Sequence, residues 1–189
     1  MSYAREVSGI LRSANCVKIG RFILSSGGES TIYIDLRSVI SHPREFRALV
    51  ELCARRIREL EFEMLAGVES SGIPLATALA LIMERPMIYV RKEQKAHGTR
   101  KMIEGDFATG VRALLVDDVA TTGSSLEKAV SALRSEGLVV ENAFVVVDRE
   151  EGAGERLEKL GVRLYSMITL SQLTSLLEVS GEVMRNAKG

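Results

Sequence analysis

Five short apolar runs recur in the second two-thirds of this 189-residue chain: "MLAGV" (64–68), "PMIYV" (86–90), "VRALLV" (111–116), "AFVVV" (143–147) and "VRLYSMI" (162–168). They are nearly continuous rather than alternating, the pattern of strands covered on both faces. Between them stand segments of helical period, "IPLATALALIMER" and "SSLEKAVSALRSEG". Such alternation predicts an α/β fold with a mostly parallel central sheet and helices on both faces. Upstream, Val7, Ile10, Leu11 and Ala14 mark a short helix, and "RFILSSGGESTIYIDLR" reads as two strands around a Ser-Gly-Gly turn. A helix then starts at Pro43 and carries Phe46, Leu49, Val50, Cys53, Ile57 and Leu60 on one face. A short helix after 150 and a last helix from about Ser171 complete the pattern. No repeat or linker divides the chain, so a single domain over 1–189 is expected.

Composition narrows the function. Lys+Arg and Asp+Glu both number 25, so no global field recruits nucleic acid and any basic cluster is local. No apolar run approaches the roughly 18 residues of a membrane span, and "MSYAREVSG" does not read as a signal peptide. Cys16 and Cys53 lack metal-ligand spacing and read as buried free thiols, with a disulfide between them as the alternative. A cytoplasmic protein without membrane or nucleic-acid partners is expected.

Ligands of open α/β sheets bind beyond the carboxyl ends of the strands. After Val116 the chain reads "DDVATTGSS" and enters a helix with Leu126, Ala129, Val130 and Leu133 as its buried stripe. Ser124 and Glu127 fit an S-x-x-E capping box. Thr121, Thr122, Gly123, Ser124 and Ser125 thus stand at a helix N-terminus, where free N–H groups and hydroxyls attract a phosphate. No GxxxxGK[ST] or GxGxxG is present. Asp117 and Asp118 beside that loop need a different partner, such as sugar hydroxyls or a hydrated divalent cation. Alone, an Asp after a strand is as readily a turn cap; two before such a loop favour a phosphorylated ribose with magnesium. Between 91 and 101, Arg91, Lys92, Lys95, Arg100 and Lys101 face a single acid, Glu93. From charge alone that is a solvated loop; its position after a strand points instead to an anion.

"ALLVDDVATTGSS" closely resembles the 5-phosphoribosyl 1-pyrophosphate (PRPP) motif of type I phosphoribosyltransferases. The resemblance implies that fold, with a small N-terminal hood. It also implies that Asp117 and Asp118 meet the ribose hydroxyls and hydrated Mg2+, with no direct protein ligand to the metal, while Val119, Ala120 and residues 121–125 bind the 5-phosphate. "YVRKEQKAHGTRK" is similar to the catalytic loop of the orotate phosphoribosyltransferases, implying that Arg91, Lys92, Lys95 and His97 bind PRPP, with Lys95 catalytic. "FILSSGGESTIYIDLR" and "GVESSGIPLATALA" resemble their amino-terminal and pyrophosphate segments, departing at Ser25 and Ser71, where many members carry lysine. Glu69 adds an acid there, so backbone N–H groups near Ser70 to Gly72 would serve the pyrophosphate. Arg149 in "VVDRE" and Thr121 match the residues that hold orotate. What the resemblance implies is transfer of phosphoribosyl from PRPP to orotate by a homodimer with shared active sites, in which the polar segment 92–105 moves as a lid. A phosphoribosyltransferase for another base and a non-catalytic PRPP-binding regulator are the alternatives. Arg149 speaks against a neutral purine, and the absence of a spare helix-turn-helix or basic DNA-binding face speaks against the regulator.

Overall fold

In the computed structural model, which describes residues 3–23, 29–93 and 102–179, the predicted elements form in order, joined by a 3-10 helix and a two-residue strand that the sequence did not announce. They are α1 (Tyr3–Ser13), β1 (Val17–Ile23), β2 (Glu29–Ile34), a 3-10 helix (Leu36–Ser41), α2 (Pro43–Ile57), β3 (Met64–Val68), α3 (Gly72–Met83) and β4 (Met87–Val90). Then come β5 (Ile103–Glu104), β6 (Arg112–Ala120), α4 (Ser124–Ser135), β7 (Val139–Asp148), α5 (Ala153–Glu158), β8 (Arg163–Thr169) and α6 (Leu170–Val179).

The main sheet has strand order β5-β4-β3-β6-β7-β8, parallel except for β5, which runs antiparallel on the edge. β1 and β2 form a separate antiparallel pair, the expected hood, in which the Phe22 and Tyr33 rings lie 5.4 Å apart. Burial explains why the strands lack alternation. Leu114 and Val116 of β6 pack into a core built with α1, α2, α3 and α6, while Ala113 and Leu115 pack into a second core under α4 and α5. Both faces are covered, so both residue parities are apolar. Cys16 and Cys53 are buried free thiols. Among the described residues, no helix is long and apolar enough to cross a membrane.

The chain reverses direction across the sheet at one place. From β3 it steps to β4 on one side, and from β6 it proceeds through β7 to β8 on the other. The carboxyl ends of β3 and β6 therefore flank a topological switch point, where loops diverge and leave a crevice.

Three expectations change. β6 does not end at Val116 but continues through Asp117 to Ala120, because β7 supplies ladder partners: Asp117 pairs with Val145, Val119 with Val147 and Ala120 with Asp148. The capping box does not form. Gly123, at φ 77°, caps α4 without a side-chain hydrogen bond, Ser124 is already helical, and the Glu127 carboxylate turns to Arg156. Finally, the segment 92–105 does not wholly leave the sheet: Ile103 and Glu104 pair with Val90 and Tyr89, and Ile103 is buried.

Candidate active site

Two carboxylates adjacent in sequence meet different surroundings here because successive strand residues face opposite ways. Asp118 follows the parity of Leu114 and Val116 and opens on a cleft lined by Arg37, Val39, Phe46, Ser71 and Pro74. Asp117 is only 7% exposed. Each carboxylate accepts the next backbone N–H: that of Asp118 bonds Asp117 Oδ1 at 2.9 Å, and that of Val119 bonds Asp118 Oδ1 at 2.7 Å. Burial, and after it the charge of Asp118, raise the pKa of Asp117 well above the ordinary carboxylate range. The hydrogen bond from the Asp118 amide and the charge of Lys92 oppose that rise. An acid held this way is poised for donors or cations that would favour its ionised form.

The loop beyond β6 is built for close approach. Thr121, Thr122, Ser124 and Ser125 are exposed and Gly123 is buried. A Cβ at Gly123 would come within 2.9 Å of the Ala153 Cα, so only glycine lets α5 back the loop this tightly. Ala120 is 1% exposed and belongs to the core under α4, so it offers a ligand its backbone only. Val119 is half-buried against the opposite core.

Across the switch point, the β3–α3 loop passes through a cis peptide between Glu69 and Ser70. Gly72 opens α3 against the end of β6, where an added Cβ would collide with the Val116 carbonyl oxygen and sit 3.1 Å from Asp117 Oδ1. The acid Glu69 serves the backbone: its Oε2 accepts the Lys92 N–H at 2.7 Å, tying this loop to the start of the segment after β4. Ser71 lines the Asp118 cleft.

The sequence-predicted cations divide. Arg91 lies 3.6 Å from Glu104 Oε1 on β5 and donates through Nε to the Glu93 carbonyl. Lys92 is near enough to Asp117 to favour its charge. Lys95 and His97 lie outside the described residues, as do Leu24, Ser25, Ser26, Gly27, Gly98, Arg100 and Lys101. Arg149 sits at the end of β7 and is brought to the loop through its amide, which donates to the Ala120 carbonyl at 2.9 Å. Its side chain is 11% exposed and donates through Nε to Glu151 Oε1 at 2.7 Å. Glu150 turns away and accepts from the Ser171 N–H at 2.8 Å and its hydroxyl at 3.0 Å, which lowers the Glu150 pKa. The structure thus gathers Asp117, Asp118, residues 121–125, Lys92 and Arg149 around one strand end. Glu69, Glu151 and Arg156 make contacts beside these residues that sequence reasoning either read differently or missed. Each acts through a partner that no local motif reveals.

The chain matches the phosphoribosyl transferase domain over residues 37–161. It is 43% identical over 170 residues to the orotate phosphoribosyltransferase of Pyrococcus abyssi, covering 89% of this chain and 93% of that one. The crystal structure of orotate phosphoribosyltransferase from Aeropyrum pernix superposes with a TM-score of 0.82 at 40% identity, over 93% of this chain and 98% of that one. The enzyme of the same name from Mycobacterium tuberculosis H37Rv, solved in complex with PRPP, gives a TM-score of 0.74 at 32% identity, over 91% and 99%.

Proposed function

Because the chain belongs to the phosphoribosyltransferase family, among its orotate phosphoribosyltransferases, we propose that the site at the ends of β3, β6 and β7 performs that reaction. The 5-phosphoribosyl group passes from PRPP to orotate, giving orotidine 5′-monophosphate and pyrophosphate in pyrimidine nucleotide synthesis. The observation that carries the assignment to this site is the end of β6. There Asp117 and Asp118 lead directly into the exposed hydroxyls and N–H groups of 121–125, and Arg149 is bonded to the same turn.

The 5-phosphate lies on residues 121–125 at the N-terminus of α4, where the backbone donors need no reorganisation. Asp117 and Asp118 accept the ribose hydroxyls. As C1 of the ribose loses pyrophosphate it becomes cationic, and carboxylates fixed nearby favour that charge. Arg149 has its Nε occupied by Glu151, so its terminal amino groups meet the orotate carboxylate, with Thr121 beside them, and ring N1 is aimed at the anomeric carbon. No protein nucleophile is required; holding the two reactants in line supplies much of the acceleration. Lys92 and Lys95 neutralise the leaving oxygens, with His97 alongside. Arg91 joins them by releasing Glu104.

The donor set suits Mg2+ bound largely through substrate. This ion keeps several of its waters and takes substrate phosphate oxygens, so Asp117 and Asp118 would hold it through water and the ribose hydroxyls rather than as direct ligands. Bound there, it supplies positive charge to the pyrophosphate oxygens.

The working unit is a homodimer in the cytoplasm, each chain a single domain. α3 supports the dimer. It carries no charged residue from 72 to 83, and its Leu81 is 77% exposed and Ile82 49% exposed, a face suited to a second copy. Pyrophosphate release with PRPP, Mg2+ and each of orotate, uracil, adenine, guanine and hypoxanthine tests the assignment. Turnover with orotate alone is expected, and turnover of a purine in its place would overturn it.

A further inference from the structure

We infer that Arg156, on α5, is a positioning residue for the phosphate-binding loop; the inference rests on reading 121–125 as that loop. Arg156 Nε donates to the Thr122 carbonyl at 2.8 Å, and Nη1 donates to Glu127 Oε2 at 2.6 Å. One guanidinium therefore clasps the loop and the first turn of α4 together. A trans peptide is planar, so its C=O and N–H point to opposite sides. With the Thr122 carbonyl turned toward α5, the Gly123 N–H is turned away from it, toward the open mouth of the loop where the exposed hydroxyls stand. The packing of Gly123 against Ala153 fixes the same segment from the same side. Glu127 gains a second role: drawn to Arg156, its carboxylate is kept off the free N–H groups of α4, where it would compete with a phosphate.

Arg156 and Glu127 are 43% and 37% exposed, and a pair that open adds little to stability. Its effect should appear in ligand binding instead. The test compares the full chain with Arg156→Ala, Arg156→Lys and Glu127→Gln, using ribose 5-phosphate as the probe in calorimetry and steady-state kinetics with PRPP and orotate. Arg156→Ala is expected to weaken ribose 5-phosphate and raise the KM for PRPP about tenfold, the scale of one charge-assisted hydrogen bond. Melting temperature and the KM for orotate should hold. Glu127→Gln, which keeps the bond to Thr122, should be milder. If Arg156→Ala does not fold, Arg156→Lys decides, since it keeps the charge and stem but not the fork that spans both partners. Equal ribose 5-phosphate binding in the parent and the decisive variant would overturn the inference alone. A parent chain that does not bind ribose 5-phosphate would overturn the loop reading and the inference with it.

Discussion

Asp117 holds its proton more firmly in the folded chain than in the unfolded one, because burial and the neighbouring Asp118 both disfavour its charge. The folded state is therefore favoured at low pH, and this advantage is lost as pH rises from the ordinary value of 3.8 up through the raised one. Asp117→Asn keeps the Oδ1 that accepts the Asp118 N–H and removes the charge. It should melt higher than the parent at pH 7, with the difference closing toward pH 4; a variant that melts lower at pH 7 would show the ionised carboxylate to be structural. At Arg149 the expectation concerns affinity. Arg149→Ala should weaken orotate by about 2–5 kcal/mol, as when one partner of a buried charge pair is removed, and affect PRPP much less. Titration of each substrate separately checks this, and equal losses would take Arg149 out of the base site.

Where elements meet, α3 starts hard against the end of β6. Gly72→Ala would drive a methyl into the Val116 carbonyl, so α3 must shift, at a cost of about 1–3 kcal/mol. The shift would move Ser70 and Ser71 against Asp117 and Asp118, raising the KM for PRPP. Gly9→Ala in α1, where nothing lies within 4 Å, is the control and should gain roughly 0.5–1 kcal/mol. Denaturant melts of both variants decide, and equal stabilities would remove the close approach from the account. The strands themselves were legible because a strand buried on both faces has no polar residue to interrupt it. Asp117 and Asp118 ended that signal, although the ladder from β7 carries β6 four residues further. Ser124 and Glu127 matched a capping motif, but Glu127 answers to an arginine 29 residues away. Glu69 looked like a misplaced acid until Lys92, 23 residues on, provided its partner. The pair of carboxylates, the hydroxyl-rich loop and Arg149 could be read because their chemistry is local; the groups that orient them could not.

For the whole molecule, strand order decides where chemistry can occur. The reversal between β3 and β6 brings the Glu69–Gly72 loop and the Thr121–Gly123 loop to one crevice, and β7 delivers Arg149 to its rim. If Lys95 of one subunit serves the site of the other, Lys95→Ala and Asp118→Asn proteins, each nearly inactive, should recover activity when mixed under conditions that exchange subunits. A mixed dimer then holds one site with both defects and one with neither. A silent mixture with exchange demonstrated would confine Lys95 to its own subunit. If the end of β6 is kept for PRPP rather than for stability, one variant separates the two. Calorimetric titration of PRPP with Mg2+ into Asp117→Asn/Asp118→Asn, alongside its melting curve, should show binding lost and the melting temperature equal or raised. Intact PRPP binding in a protein that melts far lower would assign the two carboxylates to stability instead.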